Sequence, residues 1–415
     1  MHLWSDSEID AFKQRHDAGE SWKAIVRREG LSMKPGAFAR AMQRRLRKRE
    51  RAVGAQVADA VTAAHLVEKR REASERQEQV QELRRLTDKR AVIEELQELV
   101  RSTCATLPVP KALTVSTLGK RAETLILLLS DVHVGQHTPA RINGGWTQTV
   151  ETTHWQMRQL AEQVLALTGD WSELVILDLG DDVEGSNMRV SQTRIVDPLV
   201  AKQAALYGQM LAELVTTLLT RFEHVRIERI PGNHGRVSPK AGNAGLDELD
   251  PVNSWDWMAG VIAEAVLSPA ITAGRVEVHN HEGFYGLTTV RQHAVIFEHG
   301  ASLRGGGSFG GIPWYGVERM AASYRDLEGD YTLLAVGHWH RAWHGSAGRY
   351  GHVIANGAFP PTTPFVVSSK HQASRPCQVA IALSDAGIGA VHRLYLDTPR
   401  ERAPKAAPKN NWGAF

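Results

Sequence analysis

Cysteine is scarce in this chain, which has two, Cys104 and Cys377, in 415 residues. They lie far apart in sequence, so a disulfide framework is not expected and a reducing compartment fits. The chain also lacks an apolar run of about 18 residues, the length needed to cross a membrane, and the basic-then-apolar layout of a signal peptide. These absences predict a soluble, cytoplasmic protein and exclude disulfide-rich secreted and membrane-spanning classes.

Length and charge set the next limits. With 415 residues and 42% hydrophobic content, the chain can form two or three domains with a sizeable core. Residues 1–51 contain 13 Lys or Arg and 7 Asp or Glu, a balance of +6, whereas the remainder balances at −3. A basic surface for a partner is therefore expected at the N-terminus.

Five short stretches each follow an apolar, strand-like run and place metal-ligand side chains at loop positions. They are Ser-Asp131-Val-His133, Gly-Asp181-Asp182, Gly-Asn233-His234, Glu298-His299-Gly and Gly-His338-Trp-His340. If an Asp-x-His or His-x-His pair continues the extended strand before it, both side chains leave on one face. Carboxylate, imidazole and carboxamide ligands together suit Mn, Fe or Zn, whereas a structural zinc site would use thiolates and calcium would use oxygens alone. The pattern indicates a catalytic metal site.

In this order the stretches resemble the motifs of the calcineurin-like metallophosphoesterase superfamily, over residues 123–395. Two positions depart from the family pattern. Glu184 stands where Asp is commoner, and Gly235 stands where an acidic residue usually follows Asn-His, which removes a carboxylate that could orient His234. The resemblance implies an α/β fold in which two packed sheets are flanked by helices, with the metal loops at one rim.

The resemblance also implies roles for individual residues. One metal would be held by Asp131, His133 and His340, a second by Asn233, His299 and His338, with Asp181 bridging the two. Two such ions, manganese first and iron or zinc as alternatives, activate a hydroxide for attack on phosphorus. His234 would act as general acid and stabilise the transition state. Glu184 and Asn187 are expected to orient neighbouring groups, and His137 and His344 are expected to be ordinary surface residues.

The first 51 residues read as three helices. Ser5-x-x-Glu8 is a capping-box signal for the first, Ser21 starts the second, and Pro35 suits the first turn of a third, basic helix. The segment is similar to a Myb-like or helix-turn-helix DNA-binding unit, in which Arg44, Arg45 and Lys48 would contact nucleic acid. The alternative is a solvated, charged helix that begins the segment after it.

The remaining chain is assigned by composition. The composition of residues 52–104 predicts a charged helical arm. Within it, Leu86, Ile93 and Val100 form a weak heptad seam that predicts self-association. The alternative is an extended spacer. Residues 105–122 read as a linker, 123–398 as the phosphoesterase domain and 399–415 as a tail. No internal repeat is visible.

The metal motifs alone do not name the phosphoester. The basic N-terminus, the charged arm and the similarity of the segment 131–135 to the opening motif of bacterial and phage repair nucleases favour a DNA exonuclease or endonuclease. Arg304, Trp314 and Tyr315, in and beside a glycine-rich stretch, could contact the strand, unless that stretch is only a connector. The alternatives are a phosphatase or small-molecule phosphodiesterase with a docking N-terminus, and a DNA-binding regulator with an inactive phosphoesterase fold.

Overall fold

The structure is a computed structural model that describes most of the chain. The described residues are 4–51, 98, 100, 102, 104–111, 123–143, 145–169, 171, 173–188, 196, 199–237, 252–303, 312–347, 351–362 and 374–397. Most of the predicted helical arm, part of the linker, Arg304 and the predicted tail therefore lie outside the described residues. The chain divides into two compact units, residues 1–93 and 94–415.

The described residues of the smaller unit form three helices, as the sequence predicts. They are α1 (Asp6–Asp17), α2 (Trp22–Arg28) and α3, described over residues 35–51. The Ser5 side chain accepts from the Glu8 N–H, and the Glu8 carboxylate accepts from the Ser5 N–H, so the capping box is present. Ser21 caps α2 through its own side chain, which accepts from the Ala24 N–H.

An aromatic core holds these helices together. Phe38 of α3 is fully buried, and the rings of Trp4, Phe12 and Trp22 each meet it edge-on at centroid distances of 5.1–5.7 Å. Edge-to-face contacts of this kind add to the stabilisation that burial alone provides. Met42, on the same face of α3 one turn later, is also fully buried.

The larger unit is built on two sheets. In chain order, their strands are β1 (Glu123–Leu129), β2 (Glu173–Asp178), β3 (His224–Arg229), β4 (Val276–Asn280), β5 (Tyr285–Val290), β6 (His293–Glu298), β7 (Leu333–Val336), β8 (Trp343–Ala347), β9 (Gly351–Ala355), β10 (Cys377–Ser384) and β11 (Gly387–Tyr395). The first sheet has the order β11-β10-β1-β2-β3-β4, and β1 to β4 are parallel. The second has the order β5-β6-β7-β9-β8, and β6, β7 and β9 are parallel.

Helices of the larger unit flank the two sheets. They are α4 (Val150–Ala166), α5 (Val200–Leu218), α6 (Trp255–Val266), α7 (Ser268–Thr272) and α8 (Trp314–Glu328). None of the described helices is long and apolar enough to cross a membrane.

The side chains of β1 show how the layers stack. Leu125, Leu127 and Leu129 point into the cluster that holds α4, α5 and α6, while Ile126 and Leu128 point towards the second sheet. Because alternate residues face opposite sides of a strand, a strand buried on both faces reads as one continuous apolar run. Helix α8 packs on the far face of the second sheet. The expected α/β fold, a two-sheet sandwich flanked by helices after an all-α N-terminal unit, is confirmed.

Residues 104–110 pack against the rest of the larger unit. The Leu107 N–H donates to the Val266 carbonyl at 3.2 Å, and the Arg275 guanidinium donates to the Pro110 carbonyl at 2.6 Å. Leu107 and Val109 also pack against the cluster under α6. This part of the predicted linker is therefore anchored to the fold.

Candidate metal centre

The parallel strands of the two sheets have their carboxyl ends at one rim of the fold. All five motifs lie at this rim. Asp131 and His133 follow β1, Asp181 follows β2, and Asn233 and His234 follow β3. From the second sheet, His299 follows β6, and His338 and His340 follow β7. Since parallel strands end at a common edge, motifs that are far apart in sequence become neighbours.

The local backbone differs from the expected one. Asp131, His133, Asp181, His338 and His340 have positive φ angles of 49–69°. These residues lie beyond the strand ends at Leu129, Asp178 and Val336. The condition that each pair continues its strand in extended form is therefore not met, because these residues adopt left-handed torsions. Hydrogen bonds of the Asp131 N–H to Gly180 and the His133 N–H to Asp181 hold the first two turns against each other, both at 3.0 Å.

Asp131, His133 and His340 form the first candidate metal group. The His340 Nε2 atom lies 3.0 Å from His133 Nε2 and 3.3 Å from Asp131 Oδ1. Asp131 and His133 are almost fully buried. Two ring nitrogens and a carboxylate oxygen thus converge on one region, and this is a donor set that Mn, Fe or Zn accepts.

Asp181, His299 and His338 form the second group, and Asn233 joins it. The His299 Nε2 atom lies 3.1 Å from Asp181 Oδ2, 3.0 Å from Asn233 Oδ1 and 3.2 Å from His338 Nδ1. On its other nitrogen, His299 donates to the Leu179 carbonyl at 2.8 Å, which directs Nε2 to the cluster.

Asp181 lies between the two groups. Its Oδ2 atom is 3.1 Å from His299 Nε2 and 3.9 Å from His133 Nε2. The structure thus brings together all seven sequence-predicted metal ligands, with Asp181 where a bridge would be.

The charges of the cluster suit a cation. Burial alone would raise the pKa of Asp131, but the neighbouring His340 lowers it to about 2. Burial lowers the pKa of His338 to about 3, so that this imidazole is neutral and offers a lone pair. At His299, Asp181 overcomes the effect of burial and raises the pKa to about 9, so a bound cation would displace that proton.

His234 lies at the exposed side of the cluster, with 22% of its side chain accessible. Its Nδ1 donates to the Glu184 carbonyl at 2.9 Å, and its Nε2 lies 4.0 Å from Asp181 Oδ2. Burial opposes a charge here, but Asp181 and Glu184 raise the pKa of His234 to about 10. The imidazole is therefore protonated at neutral pH, with Nε2 turned towards the cluster.

Glu184 contacts two of the histidines. Its Oε2 atom lies 3.0 Å from His133 Nδ1 and 3.5 Å from His234 Nδ1. A proton on His133 Nδ1 leaves Nε2 free to bind a metal. Asn187 donates to the Arg236 and Val237 carbonyls at 3.3 and 3.0 Å, and so ties together the loops after β2 and β3.

Sequence reasoning missed a buried polar network behind Asp131. Asn356 donates to Ser130 Oγ at 3.0 Å, and Ser130 donates to Asp131 Oδ2 at 2.6 Å. Gln378 accepts from both the Ser130 N–H and Asn356. Ser130 adjoins a ligand and could have been found, but Asn356 and Gln378 are over 200 residues away and carry no local signal.

The other residues that the sequence analysis singled out do not belong to the two ligand groups. The Trp314 ring packs against Trp343 at a centroid distance of 4.0 Å and is partly buried against the second sheet, whereas Tyr315 is 76% exposed. His137 is exposed, and His344 lies 3.0 Å from His352. In the smaller unit, Arg44 and Lys48 are exposed.

Arg45 contacts Trp4 in the core of the smaller unit. It donates to the Trp4 carbonyl at 3.2 Å, and its guanidinium lies 5.4 Å from the centre of the Trp4 ring. These contacts hold the side chain against the core of the smaller unit, so Arg45 is less suited than Arg44 or Lys48 to contact a nucleic acid.

No protein-family model matches this chain, and no curated protein matches its sequence. Solved structures with a similar chain path include PH1004 from Pyrococcus horikoshii, described as a hypothetical protein, at 12% identity and a TM-score of 0.33. That match covers 67% of this chain and 90% of the other. An archaeal phosphodiesterase matches at 9% identity over 65% of this chain and 99% of its own, with a TM-score of 0.31.

A third similar structure is Vps29 from Entamoeba histolytica in complex with Zn²⁺. It matches at 13% identity over 66% of this chain and 99% of its own, with a TM-score of 0.27. Sequence identities and TM-scores this low do not show the activity of this chain.

Proposed function

We propose that this protein is a phosphodiesterase that depends on two divalent metal ions, and that its substrate is DNA. The observation that carries the proposal is the arrangement of two ligand groups on either side of Asp181, with Oδ2 of that residue 3.1 Å from His299 and 3.9 Å from His133. Seven converging donors exceed what one ion of four to six ligands can use.

The residues present fit such a pair of ions. Asp131, His133 and His340 would hold one, and Asn233, His299 and His338 the other, with Asp181 shared. Manganese suits this mixed oxygen and nitrogen set, and iron and zinc are the alternatives. Bound metals would polarise the phosphoryl group and supply a nucleophile at neutral pH.

His234 would supply the proton. When the ester bond breaks, the leaving oxygen carries negative charge and departs poorly unless it is protonated. The His234 Nδ1 is engaged by the Glu184 carbonyl, so Nε2, near Asp181, is the atom that faces the substrate. Asp181 and Glu184 raise the pKa of this ring, which favours a proton on Nε2.

The proposal of DNA rests on the charge of α3. Its five exposed basic side chains recur at positions that share one face of the helix. They are Arg40, Arg44, Arg47, Lys48 and Arg51, named here the basic stripe. At 3.6 residues per turn they lie within an arc of about 100° and span about 16 Å along the axis.

The basic stripe lies opposite the buried face of α3. Phe38 and Met42 turn to the core on the other side. Arg49 is held by Asp10 at 2.9 Å and does not belong to the stripe. Among the described residues, no ion pair neutralises the five stripe side chains, so they are free to neutralise phosphates.

The test uses manganese-loaded protein with end-labelled single-stranded and duplex DNA, and reads product lengths. Shortening from one end indicates an exonuclease, and internal fragments an endonuclease. Bis(p-nitrophenyl) phosphate and p-nitrophenyl phosphate are assayed in parallel. Hydrolysis of the monoester without cleavage of DNA would make the protein a phosphatase, and no metal-stimulated hydrolysis at all would make it a regulator.

A further inference from the structure

Backbone N–H groups of two site loops converge on a single carboxylate, that of Asp256. Its Oδ2 accepts from the Asp181 N–H at 3.1 Å and from the Gly232 N–H at 2.8 Å, and its Oδ1 accepts from the Val183 N–H at 3.3 Å. Asp181 and Val183 belong to the loop after β2, and Gly232 directly precedes Asn233 in the loop after β3. One side chain thus joins the loop of the central carboxylate to the loop of Asn233 and His234.

Asp256 is itself held rigidly. It lies in the first turn of α6, whose N-cap Ser254 accepts from the Trp257 N–H at 3.1 Å. The buried Arg229 guanidinium donates to the Asp256 carbonyl at 3.2 Å, and the Trp255 N–H donates to the Gly235 carbonyl at 2.7 Å. Asp256 is 1% exposed. A carboxylate fixed at both its backbone and its oxygens can set the positions of the loops that it contacts.

Gly235 lies directly against Asp256. A Cβ atom at Gly235 would lie 2.7 Å from both Cγ and Oδ1 of Asp256 and 2.9 Å from its backbone nitrogen, so Asp256 occupies the space that a side chain at 235 would need. The φ angle at Gly235 lies outside the left-handed region. The close approach of Asp256, and not a left-handed torsion, therefore requires the glycine.

We propose that Asp256 is a positioning residue, which supplies from α6 the carboxylate that the Asn233-His234-Gly235 loop lacks and fixes the distance between Asp181 and Asn233. The proposal rests on the proposed two-metal function. It makes one further statement: the metal pair depends on a residue that binds no metal.

The test compares D256N and D256G with the wild-type protein, and D326N, at an exposed acid on α8, is the control for loss of charge. Manganese stoichiometry and affinity are measured by dialysis, and spin coupling between the two ions by electron paramagnetic resonance. Turnover of bis(p-nitrophenyl) phosphate is a third readout. Thermal unfolding reports whether each variant is folded.

In D256N, the side-chain NH₂ group, which is a hydrogen-bond donor, would face one of the three backbone N–H groups, which are also donors. We expect about 10- to 100-fold weaker manganese binding, the usual effect of changing a group behind metal ligands, and loss of the coupled spectrum. D256G should also lose the coupled spectrum. D326N should match the wild-type protein.

Two outcomes would overturn the inference. One is a coupled spectrum and manganese affinity in D256N equal to those of the wild-type protein. The other is a folded D256G variant that keeps the coupled spectrum of the wild-type protein. If the wild-type protein itself bound no manganese pair, the proposed function would fail first, and the two failures are distinguished because metal binding is read without turnover.

Discussion

Left-handed torsions at five non-glycine residues concentrate strain in the metal-binding loops. Each such residue costs on the order of 1–3 kcal/mol unless its surroundings enforce it. Here the surroundings do so, because the Asp131 and His133 N–H groups donate to the neighbouring loop and the His338 N–H donates to the Asp131 carboxylate at 2.9 Å. As a result, side chains from separate turns point at one region of space. In an extended strand, successive side chains would point to opposite faces instead.

At His234 we expect substitution by Ala to retain metal yet lower turnover of alkyl diesters by about 10²–10⁴-fold, the contribution of a positioned acid. The loss should shrink for nitrophenyl esters, whose leaving group needs little protonation. Steady-state kinetics on both ester classes check this. His137→Ala, at an exposed histidine, is the control. Equal losses on both classes would assign His234 to charge stabilisation instead.

At Asp181 we expect substitution by Asn to weaken both metal sites together, because Oδ2 faces both groups. Asp131→Asn should weaken the first site more than the second, since Asp131 contacts His133 and His340 directly and reaches the second group only through the His338 N–H. Elemental analysis should give two ions per chain for the wild-type protein and one for Asp131→Asn. A wild-type protein that is active with one ion contradicts this.

At the scale of elements, α3 carries buried, paired and exposed side chains on different faces. Arg45 and Arg49 are engaged with Trp4 and Asp10 and stabilise the unit, whereas the basic stripe is exposed. The sequence suggested Arg44, Arg45 and Lys48 together, and only the packing distinguishes Arg45 from the other two.

Removing charge from the stripe tests its role. The triple variant Arg44→Gln, Arg47→Gln, Lys48→Gln should bind DNA more weakly, and the logarithmic salt slope should fall by about 0.9 for each duplex phosphate that the stripe no longer neutralises. Arg141→Gln with Lys202→Gln removes exposed charges from the larger unit and serves as the control. An unchanged slope in the triple variant would remove the stripe from DNA binding.

Helix α6 approaches the sheet closely at Gly260. A methyl group there would meet the Arg229 guanidinium, which is fixed by Asp178 at 2.7 Å and by Asp182. Gly260→Ala should therefore destabilise the larger unit by about 1–3 kcal/mol, the usual effect of overpacking. Gly36→Ala, whose methyl makes only an ordinary contact with Arg40 at 3.8 Å, should not destabilise the smaller unit. Chemical denaturation of both variants measures the difference.

At the scale of the whole molecule, the two units divide the proposed functions. Every candidate metal ligand lies in the unit 94–415, and the basic stripe lies in the unit 1–93. The ligand set is thus complete without the N-terminal helices.

Deleting residues 1–51 should therefore leave turnover of a small diester intact while weakening DNA binding and flattening its salt dependence. Filter binding at several salt concentrations, beside bis(p-nitrophenyl) phosphate hydrolysis, measures both. A truncated protein with unchanged DNA affinity and salt slope would leave the N-terminal unit as a protein-docking or oligomerisation element, and would remove much of the support for DNA as substrate.

The sequence alone determined the central strands and the gathering of the ligands. Strands β1 and β2 are buried on both faces, so they appear as apolar runs, and each ligand motif follows its strand within a few residues. Strand β11 contains no such run, because it is largely half-buried or exposed and its sequence is of mixed polarity. Strand β8, with Trp343, His344 and Gly345, carries no strand signal either.

Only the tertiary structure decided what holds the ligands in place. Asp256 contacts Asp181 across 75 residues of sequence, and Gln378 contacts Ser130 across 248. Such contacts depend on how the helices and the two sheets pack, which no local pattern encodes. The ligands themselves could be read from sequence because strand and loop are adjacent in the chain, whereas the groups behind them come from whichever element the fold brings near.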